Sequence, residues 1–347
     1  MIATGYIFAL ISAGAWAIAV ITFKRIGDTV PPPVINLFKN TLGFVLIGLT
    51  LLAMGLPLHA VPAQEGVRIV QGWDIALIIF SGAIGIGLAD IVFIRALNMI
   101  GASVTSIIGS MFSVFIFVFS FLFAFLFPDS FPGQRWPPTG LEIVGALFVI
   151  LAIVYSSWTG ISKKEIENLR SGIVTGISAI LMMAFASVIM NSIVAKADKD
   201  VAISLWVVWV RLIPGIIVPL AIVLLGRYTQ ILRQILRDPA TLRILLFGAF
   251  MATYVAISFW TVGMAFESDN FTLFSVLAQT SNVFIFIMSW AVLSEQINFR
   301  RIIGITFSFI GIVMIMVGRE PAEESRTNDT KIIDTVVNYV HMKRERI

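Results

Sequence analysis

Long apolar runs follow one another along almost the whole chain, separated by short segments that contain Pro, Gly or charged residues. Each run has about the 20 residues that a helix needs to cross the hydrocarbon core of a bilayer. Lipid offers no partner to an unpaired backbone amide, and the runs are too long for barrel strands, so we predict helices. The ten predicted helices span residues 2–23, 33–54, 74–99, 102–127, 140–158, 171–195, 201–225, 244–266, 271–293 and 301–318.

The connection at residues 226–243 has a pattern of its own. Its four apolar residues Ile231, Leu232, Ile235 and Leu236 fall on one helical face, and its arginines lie mostly elsewhere. This pattern is typical of a short helix that lies on an anionic membrane surface. We therefore predict an interfacial helix between two of the apolar runs.

Two pairs of similar segments indicate an internal repeat. SVFIFVFS at 113–120 matches NVFIFIMS 169 residues later, and EIVGALFVILAIV from Glu142 resembles RIIGITFSFIGIV 159 residues later. The loop before Glu142 is the longer one, which accounts for the difference. Because five helices are an odd number, the second repeat must enter the membrane from the opposite side. The predicted fold is an all-α integral membrane protein with ten transmembrane helices in two inverted five-helix repeats. Its predicted parts are a first repeat at 1–158, a charged linker at 159–170, a second repeat at 171–318 and a polar tail at 319–347.

Composition excludes several functional classes. Hydrophobic residues make up 58% of the chain and charged residues 13%, about half the charged fraction of a soluble domain. The chain has no cysteine and two histidines, and it lacks the HExxH and GxSxG motifs. The glycine-rich SGAIGIG at 81–87 lies inside an apolar run, so we interpret it as a close-packing surface and not as a phosphate loop. We predict no enzyme, no cofactor, no metal site and no nucleic-acid partner.

The distribution of positive charge predicts the orientation. The loops after helices 1, 5, 7 and 9 hold eleven Lys and Arg residues, whereas the opposite loops hold four and the tail on that side adds six. Short cationic loops face the cytoplasm. We expect a multi-pass protein of the cell membrane with both termini outside.

Three stretches resemble the EamA transporters of the drug/metabolite transporter superfamily. They are LSEQINFRRIIGITFSFIGIVMIMV from Leu293, GLADIVFIRALNMIGASVTSI from Gly87, and Gly5 to Lys24 with its central Trp16. The resemblance implies ten helices in two repeats and a secondary transporter for a small organic metabolite or drug-like solute.

Two features depart from the family pattern. The family often has a proline in helices 4 and 9, and Ser113 and Asn282 stand at those positions, so we expect neither helix to be kinked there. The first repeat also lacks an acidic residue that matches Glu295. A role for that acid in both halves is therefore not expected.

Ionisable side chains inside lipid are costly, so each is a candidate functional residue. A polar stripe on helix 2 consists of Asn36, Lys39, Asn40 and Gly43, at i, i+3, i+4, i+7 spacing. Asp90 lies roughly 13 Å from the far end of helix 3 and at a depth where it could pair with Lys39 or Arg95. Both a functional role in a central cavity and a purely structural ion pair are open for Asp90.

Arg211 lies about 15 Å into helix 7, near the midplane where inverted-repeat carriers bind substrate. Its guanidinium suits an anionic substrate, whereas snorkelling or an ion pair would make its role structural. Glu295 is expected at an interface, in an ion pair with Arg300 or Arg301 or at a helix start. Further candidates for the pathway, with ordinary packing as the alternative, are Trp16, Tyr254, Trp260, Gln279 and Asn282.

The leading hypothesis is a secondary transporter that works by alternating access, with its site between helices 2, 3, 7 and 8. A non-transporting receptor or scaffold is the alternative, and a membrane enzyme comes third. The expected partners are a small-molecule substrate and the lipid bilayer. Coupling to protons or another ion, the direction of transport and the oligomeric state are left open by the sequence.

Overall fold

Nearly all of the described chain is helical. The computed structural model describes residues 4–56, 58, 63–64, 67–68, 70, 72–127, 139–157, 163–268, 271–296, 298–315 and 317–318. Within these residues, seven helices are long and apolar enough to cross a membrane, and two shorter apolar helices lie at Met111–Leu126 and Ile143–Ala152. The prediction of an all-helical membrane protein is confirmed, whereas ten crossings stay a prediction. The predicted tail lies outside the described residues.

The first half runs from α1 to α6. A small antiparallel ribbon, β1 (Ala63–Gln64) with β2 (Val67–Arg68), follows the second helix. The helices are α1 (Thr4–Ile26), α2 (Pro32–Ala53), α3 (Gly72–Ser81), a first π segment (Gly82–Leu88), α4 (Ala89–Gly109), α5 (Met111–Leu126) and α6 (Gly140–Ser157).

The second half begins with α7, which starts at Lys163, so residues 163–170 of the predicted linker are helical. The division of the chain into two repeats joined by a charged linker at 159–170 stays a prediction. The elements of the second half are α7 (Lys163–Val194), a 3₁₀ turn (Ala195–Ala197), α8 (Val201–Leu225), α9 (Thr229–Arg237), α10 (Pro239–Ala249), a second π segment (Phe250–Ile257), α11 (Ser258–Phe266), α12 (Phe271–Ala278) and α13 (Thr280–Leu293). Residues 299–315 form a last described helix, α14.

Local sequence sets several helix starts. Pro32 is at the first turn of α2, where its missing N–H costs no helical hydrogen bond. Asp200 accepts a bond from Ile203 N at 3.0 Å and so caps α8. Asp238 caps α10, where hydrogen bonds from the Thr241 hydroxyl and from backbone amides hold the pKa of its exposed carboxyl below its usual range. The α10 helix therefore starts at Pro239, five residues before the predicted start at 244.

The bounds of the elements repeat along the chain with the spacing of the sequence matches. α8 starts 169 residues after α2, α11 starts 169 residues after α4, and α13 starts 169 residues after α5. The second π segment likewise lies 168 to 169 residues after the first. The helices at 140 and 299 are 159 residues apart, as the second sequence match predicts.

The first helix of each half packs mainly against helices of the other half. α1 packs mainly against α10 to α13 and the second π segment, and α7 packs mainly against α3 to α5 and the first π segment. α2 and α8 pack against each other. Exchanging the two halves preserves this set of contacts, so the centre of the molecule lies between equivalent elements. Large apolar side chains such as Phe125 and Leu225 are exposed on the outer surface, as lipid-facing positions require.

The predicted interfacial helix exists as α9, but most of its apolar face points at the protein. Ile235 is buried, and Ile231 and Leu232 pack against the core. Of the four apolar residues, Leu236 is the exposed one. The position of α9 at the membrane surface stays a prediction.

Candidate functional site

A cavity of about 160 Å³ lies at the centre of the molecule, between the two halves. Its lining comes from α1, α4, α5, α7, α8, the helices after the second π segment and both π segments themselves. Six of the eleven candidate pathway residues line it: Trp16, Asp90, Arg211, Trp260, Gln279 and Asn282. The other five, Asn36, Lys39, Asn40, Arg95 and Tyr254, do not.

Asp90 pairs with Lys39 in a buried ion pair. The Lys39 ammonium donates to Asp90 Oδ2, and the two side chains are 1% and 8% exposed. Asp90 borders the cavity, while Lys39 stands behind it on α2. Arg95, the alternative partner, is exposed on the outside of α4. Arg95 comes five positions after Asp90 on the helix, and five steps correspond to a net rotation of about 140°. The two side chains therefore leave the helix in different directions.

Arg211 is a buried cation without a strong partner. It is 5% exposed, and its only hydrogen bond among the described residues is a 3.5 Å contact from Nη2 to the Ser81 carbonyl. Its Nε has no acceptor there, and no described carboxylate forms an ion pair with it.

Glycines make room for this arginine. A Cβ atom on Gly85 would lie 2.9 Å from Arg211 Nη2, and one on Gly82 would lie 2.3 Å from the Arg211 carbonyl oxygen. The close-packing interpretation of the SGAIGIG segment therefore holds for these two glycines. Their packing partner is the α8 backbone and the guanidinium itself.

The polar stripe on α2 mainly satisfies backbone carbonyls. Asn40 Nδ2 donates to the Gly215 carbonyl at 2.6 Å. That carbonyl lies four residues before Pro219, which has no N–H, so it lacks its helical partner. Gly43 provides close packing, because a Cβ there would lie 2.0 Å from Thr253 Cγ2.

In each of the two π segments, a backbone carbonyl accepts a hydrogen bond from a side chain of another helix, and the donor differs between the two. A return from π-helical to α-helical hydrogen bonding leaves carbonyls that need another partner. Asn36 Nδ2 donates to the Gly87 carbonyl at 3.0 Å, and Ser12 Oγ donates to the Ala256 carbonyl at 2.8 Å. Ala256 comes 169 residues after Gly87, so equivalent carbonyls are satisfied by side chains from α2 and α1.

Aromatic rings form much of the apolar wall. The Trp16 ring packs against Phe93 with centroids 5.7 Å apart, and Trp260 packs against Phe112 at 5.7 Å. Tyr254 is directed elsewhere, because its hydroxyl lies 3.0 Å from Thr50 Oγ1 on α2. Its predicted place in the pathway is not supported by its position.

Asn282 joins two helix breaks. At Ser110 and at Gln279 the backbone tightens to hydrogen bonds three residues back, with N–O distances of 3.2 and 3.0 Å. In the orientation of its carboxamide that satisfies both ends, Asn282 accepts from Ser110 N at 3.2 Å and donates to the Ser106 carbonyl at 3.3 Å. Ser113 and Asn282 themselves lie inside α5 and α13, and each interruption comes three residues before them.

Glu295 caps a helix in the opposite half. Gly101 has φ of 81°, which interrupts α4 and leaves the next amides without helical partners. The Glu295 carboxylate accepts from Ala102 N at 2.7 Å and from Ser103 N at 3.0 Å. Arg301 adds a bond from Nη1 to Ser103 Oγ at 3.0 Å. The predicted helix-start role is present, but the helix is not the one that follows Glu295 in sequence.

Several lining residues escaped the sequence analysis. Serines and glycines inside apolar runs carry little signal alone, and phenylalanines are common there. The missed residues include Ser12, Gly85, Phe93, Phe112, Met183 and Ser187. Among the described residues, no group of three His, Asp or Glu side chains is arranged to hold a metal ion.

The model of the EamA-like transporter family matches residues 3–158 and 170–317. Curated protein sequences give no match. A crystal structure described only as that of a protein aligns with 92% of this chain and 99% of its own, with a TM-score of 0.59 and 14% identical residues. Identity at this level shows a shared fold alone.

Proposed function

The chain belongs to the EamA-like transporter family, and from this premise we propose that it carries a small organic solute across the cell membrane by alternating access. The family makes it a multi-pass membrane transporter of the drug/metabolite type. The observation that carries the finer proposal is the central cavity, which is lined by charged and aromatic side chains from both halves. A midplane site between exchanged halves is the arrangement on which inverted-repeat carriers operate.

We further propose ten crossings in two inverted repeats, divided as the sequence analysis predicts. The helical stretch Gly72–Gly109 has 38 residues, or about 57 Å, nearly twice the thickness of a bilayer core. Its interruption at Gly101 supports a division into two crossings, of which the second continues into α5. With α6 and α14 added, each half has five crossings.

The π segments support a mechanism in which the halves rock about the cavity. Both lie beside it, at equivalent positions, where a π-helix loosens the regular hydrogen bonding of a long helix. Each carries a carbonyl bonded to a side chain of another helix. Bending at these points would change the openings of the cavity while the pairing of α2 with α8 persists.

The absence of cysteine permits a direct test of alternating access. Single-cysteine variants would be placed in proteoliposomes of known orientation and treated with an impermeant maleimide from one side at a time. Ser187→Cys lines the cavity, Gln230→Cys lies on exposed α9, and Ala195→Cys lies exposed at the other end of the bundle. We expect Ser187→Cys to react from both sides, and each control to react from one side, opposite to the other.

Reaction of Ser187→Cys from a single side would contradict alternating access. Labelling of Gln230→Cys in intact cells would contradict the cytoplasmic placement of α9. Saturable flux of a solute that stabilises the purified protein would establish transport itself, with Asp90→Asn as the impaired variant. A receptor or scaffold would bind without flux.

A further inference from the structure

The charges around the cavity do not cancel. Among the described residues, the charged ones that line it are Asp90 and Arg211, and Lys39 stands directly behind Asp90. The Lys39 ammonium already neutralises the Asp90 carboxylate. One positive charge, that of Arg211, is therefore left over at the cavity wall.

The burial of Arg211 makes this surplus informative. A buried charge is costly unless a counter-charge and hydrogen bonds compensate for it. The described protein gives Arg211 one long contact to a carbonyl and leaves Nε without an acceptor. Arg211 is 5% exposed and lies about 15 Å into α8. At this depth the guanidinium does not reach water by snorkelling.

Gly85 lets the guanidinium lie close to the backbone of the first π segment at the cavity wall. Gly85 borders the cavity, and a Cβ atom there would lie 2.9 Å from Arg211 Nη2 and 2.6 Å from Ala186 Cβ, so a larger side chain would displace the guanidinium from this position. A planar guanidinium with free N–H groups binds carboxylate or phosphate oxygens in a bidentate manner. The cation therefore faces a site that an anionic group can enter.

The rest of the wall favours an apolar body on the same ligand. Trp16, Phe112 and Trp260 line the cavity, and their rings are already arranged edge to face or tilted against neighbours. The uncharged polar residues of the lining are Ser12, Ser187, Gln279, Ser281 and Asn282. Polar groups placed within a mostly apolar wall are typical of sites that orient a small organic ligand.

We propose that the cavity binds a small soluble organic anion, with its carboxylate or phosphate-like oxygens on Arg211 and its apolar or aromatic body against Trp16 and Trp260. As a statement about the transported substrate, this rests on the proposed function. As a statement about binding, it rests on the geometry of Arg211, Gly85 and the aromatic wall.

Binding is tested with matched pairs of probes that differ in charge. The protein in phosphatidylcholine nanodiscs is titrated calorimetrically with indole-3-acetate, benzoate and phenyl phosphate, and with indole-3-acetamide, benzamide and phenol as neutral counterparts. We expect at least one anion to bind about tenfold or more tightly than its neutral counterpart. Arg211→Gln should abolish that preference, and Arg211→Lys should retain part of it.

Arg95→Gln is the matched control, because it removes the same charge from an exposed position on α4. It should leave the preference unchanged. Arg211→Gln should still fold and unfold cooperatively, since Asp90 keeps its ion pair with Lys39. Equal binding of each pair, binding of none of the anions, or a preference that survives Arg211→Gln would overturn the proposal.

A lipid phosphate could also meet a guanidinium, so the titrations are repeated in nanodiscs that contain phosphatidylglycerol. Anion binding should persist there. Loss of probe binding in wild-type protein with added phosphatidylglycerol would assign Arg211 to a lipid headgroup and overturn a soluble ligand. Anion binding without flux would contradict the proposed transport and leave the proposed anion site intact. Flux of a neutral or cationic solute that Arg211→Gln leaves unchanged would contradict the anion site and leave the proposed transport intact.

Discussion

The two π segments occupy equivalent positions in the two halves but carry different chemistry. The first contains three glycines and lies against Arg211 and against Asn36 of α2. The second, FMATYVAI, has Tyr254 where the first has Gly85, and it contributes Ala256 and Ile257 to the cavity wall. One segment accommodates a charge and the other provides an apolar surface.

This difference separates what a repeated backbone determines from what its side chains determine. Both segments have the same helical irregularity, and in both a carbonyl accepts a bond from a neighbouring helix. Gly85 has no side chain, so the Arg211 guanidinium can lie against its backbone. At the equivalent position of the second segment, Tyr254 has a ring whose hydroxyl bonds to Thr50. A nearly symmetric scaffold thus surrounds an asymmetric site.

The largest expected effect concerns the ion pair beside the first segment. Lys39→Gln leaves the Asp90 carboxylate buried without its partner, and we expect a loss of about 3–5 kcal/mol in the free energy of unfolding. Lys196→Gln is the control, because Lys196 also pairs with an aspartate but is 48% exposed, and it should cost about 1 kcal/mol or less. Urea unfolding in detergent measures both. Similar losses of unfolding free energy in the two variants would show that burial does not make the Lys39–Asp90 pair more stabilising than the Lys196–Asp74 pair.

The glycines of the first segment come next. Gly82→Ala would place a Cβ 2.3 Å from a backbone oxygen of α8, which cannot move as a side chain can, and should destabilise the protein by about 1–3 kcal/mol. Gly14→Ala, in α1, meets no atom within 4 Å and should stabilise by up to about 1 kcal/mol. Opposite signs in thermal unfolding are expected. A neutral Gly82→Ala would contradict the close approach of α8.

A smaller effect tests an asymmetry outside the π segments. Glu295→Ala removes the cap from Ala102 and Ser103, and we expect a loss of about 0.5–2 kcal/mol together with faster hydrogen exchange at these two amides. Gln296→Ala, on the exposed neighbour, should change neither. Unchanged exchange at residues 102 and 103 would show that the break at Gly101 is held by other contacts.

The smallest effect belongs to the second segment. Tyr254→Phe removes one hydroxyl and its 3.0 Å contact with Thr50, so we expect a loss of about 0.5–1.5 kcal/mol. Ligand binding should not change, because Tyr254 does not line the cavity. Tyr155→Phe, at an exposed residue of α6, is the control for removing a hydroxyl. Impaired binding in Tyr254→Phe would place the tyrosine in the site after all.

Much of the helical framework follows from the sequence, and the reasons are local. The apolar run at 201–225 matches α8 residue for residue, and the gap between the predicted helices at 99 and 102 falls on the Gly101 break. Apolar length and glycine are strong signals. The helical conformation of residues 163–170 could not be predicted, because charged residues form helices as readily as loops outside the apolar runs.

The candidate site was predictable in part for a different reason. A buried Asp, Lys or Arg is conspicuous in a lipid-like sequence, so Asp90, Lys39 and Arg211 were found. Which of them face the cavity depends on helix rotation and on contacts between halves. The π segments have no strong sequence signal, and so the carbonyls that Asn36 and Ser12 satisfy could not be anticipated.

The exchange of first helices between the halves has a consequence for how the protein is made. α1 ends at Ile26, yet its main partners begin with α10 at Pro239, 213 residues later. At the usual pace of translation, the ribosome needs roughly 10–40 s to synthesise that stretch. The N-terminal helix therefore waits in the membrane without its permanent neighbours, and assembly of the bundle must follow the emergence of the second half. A chain truncated before Pro239 should leave α1 exposed to the quality control of the cell.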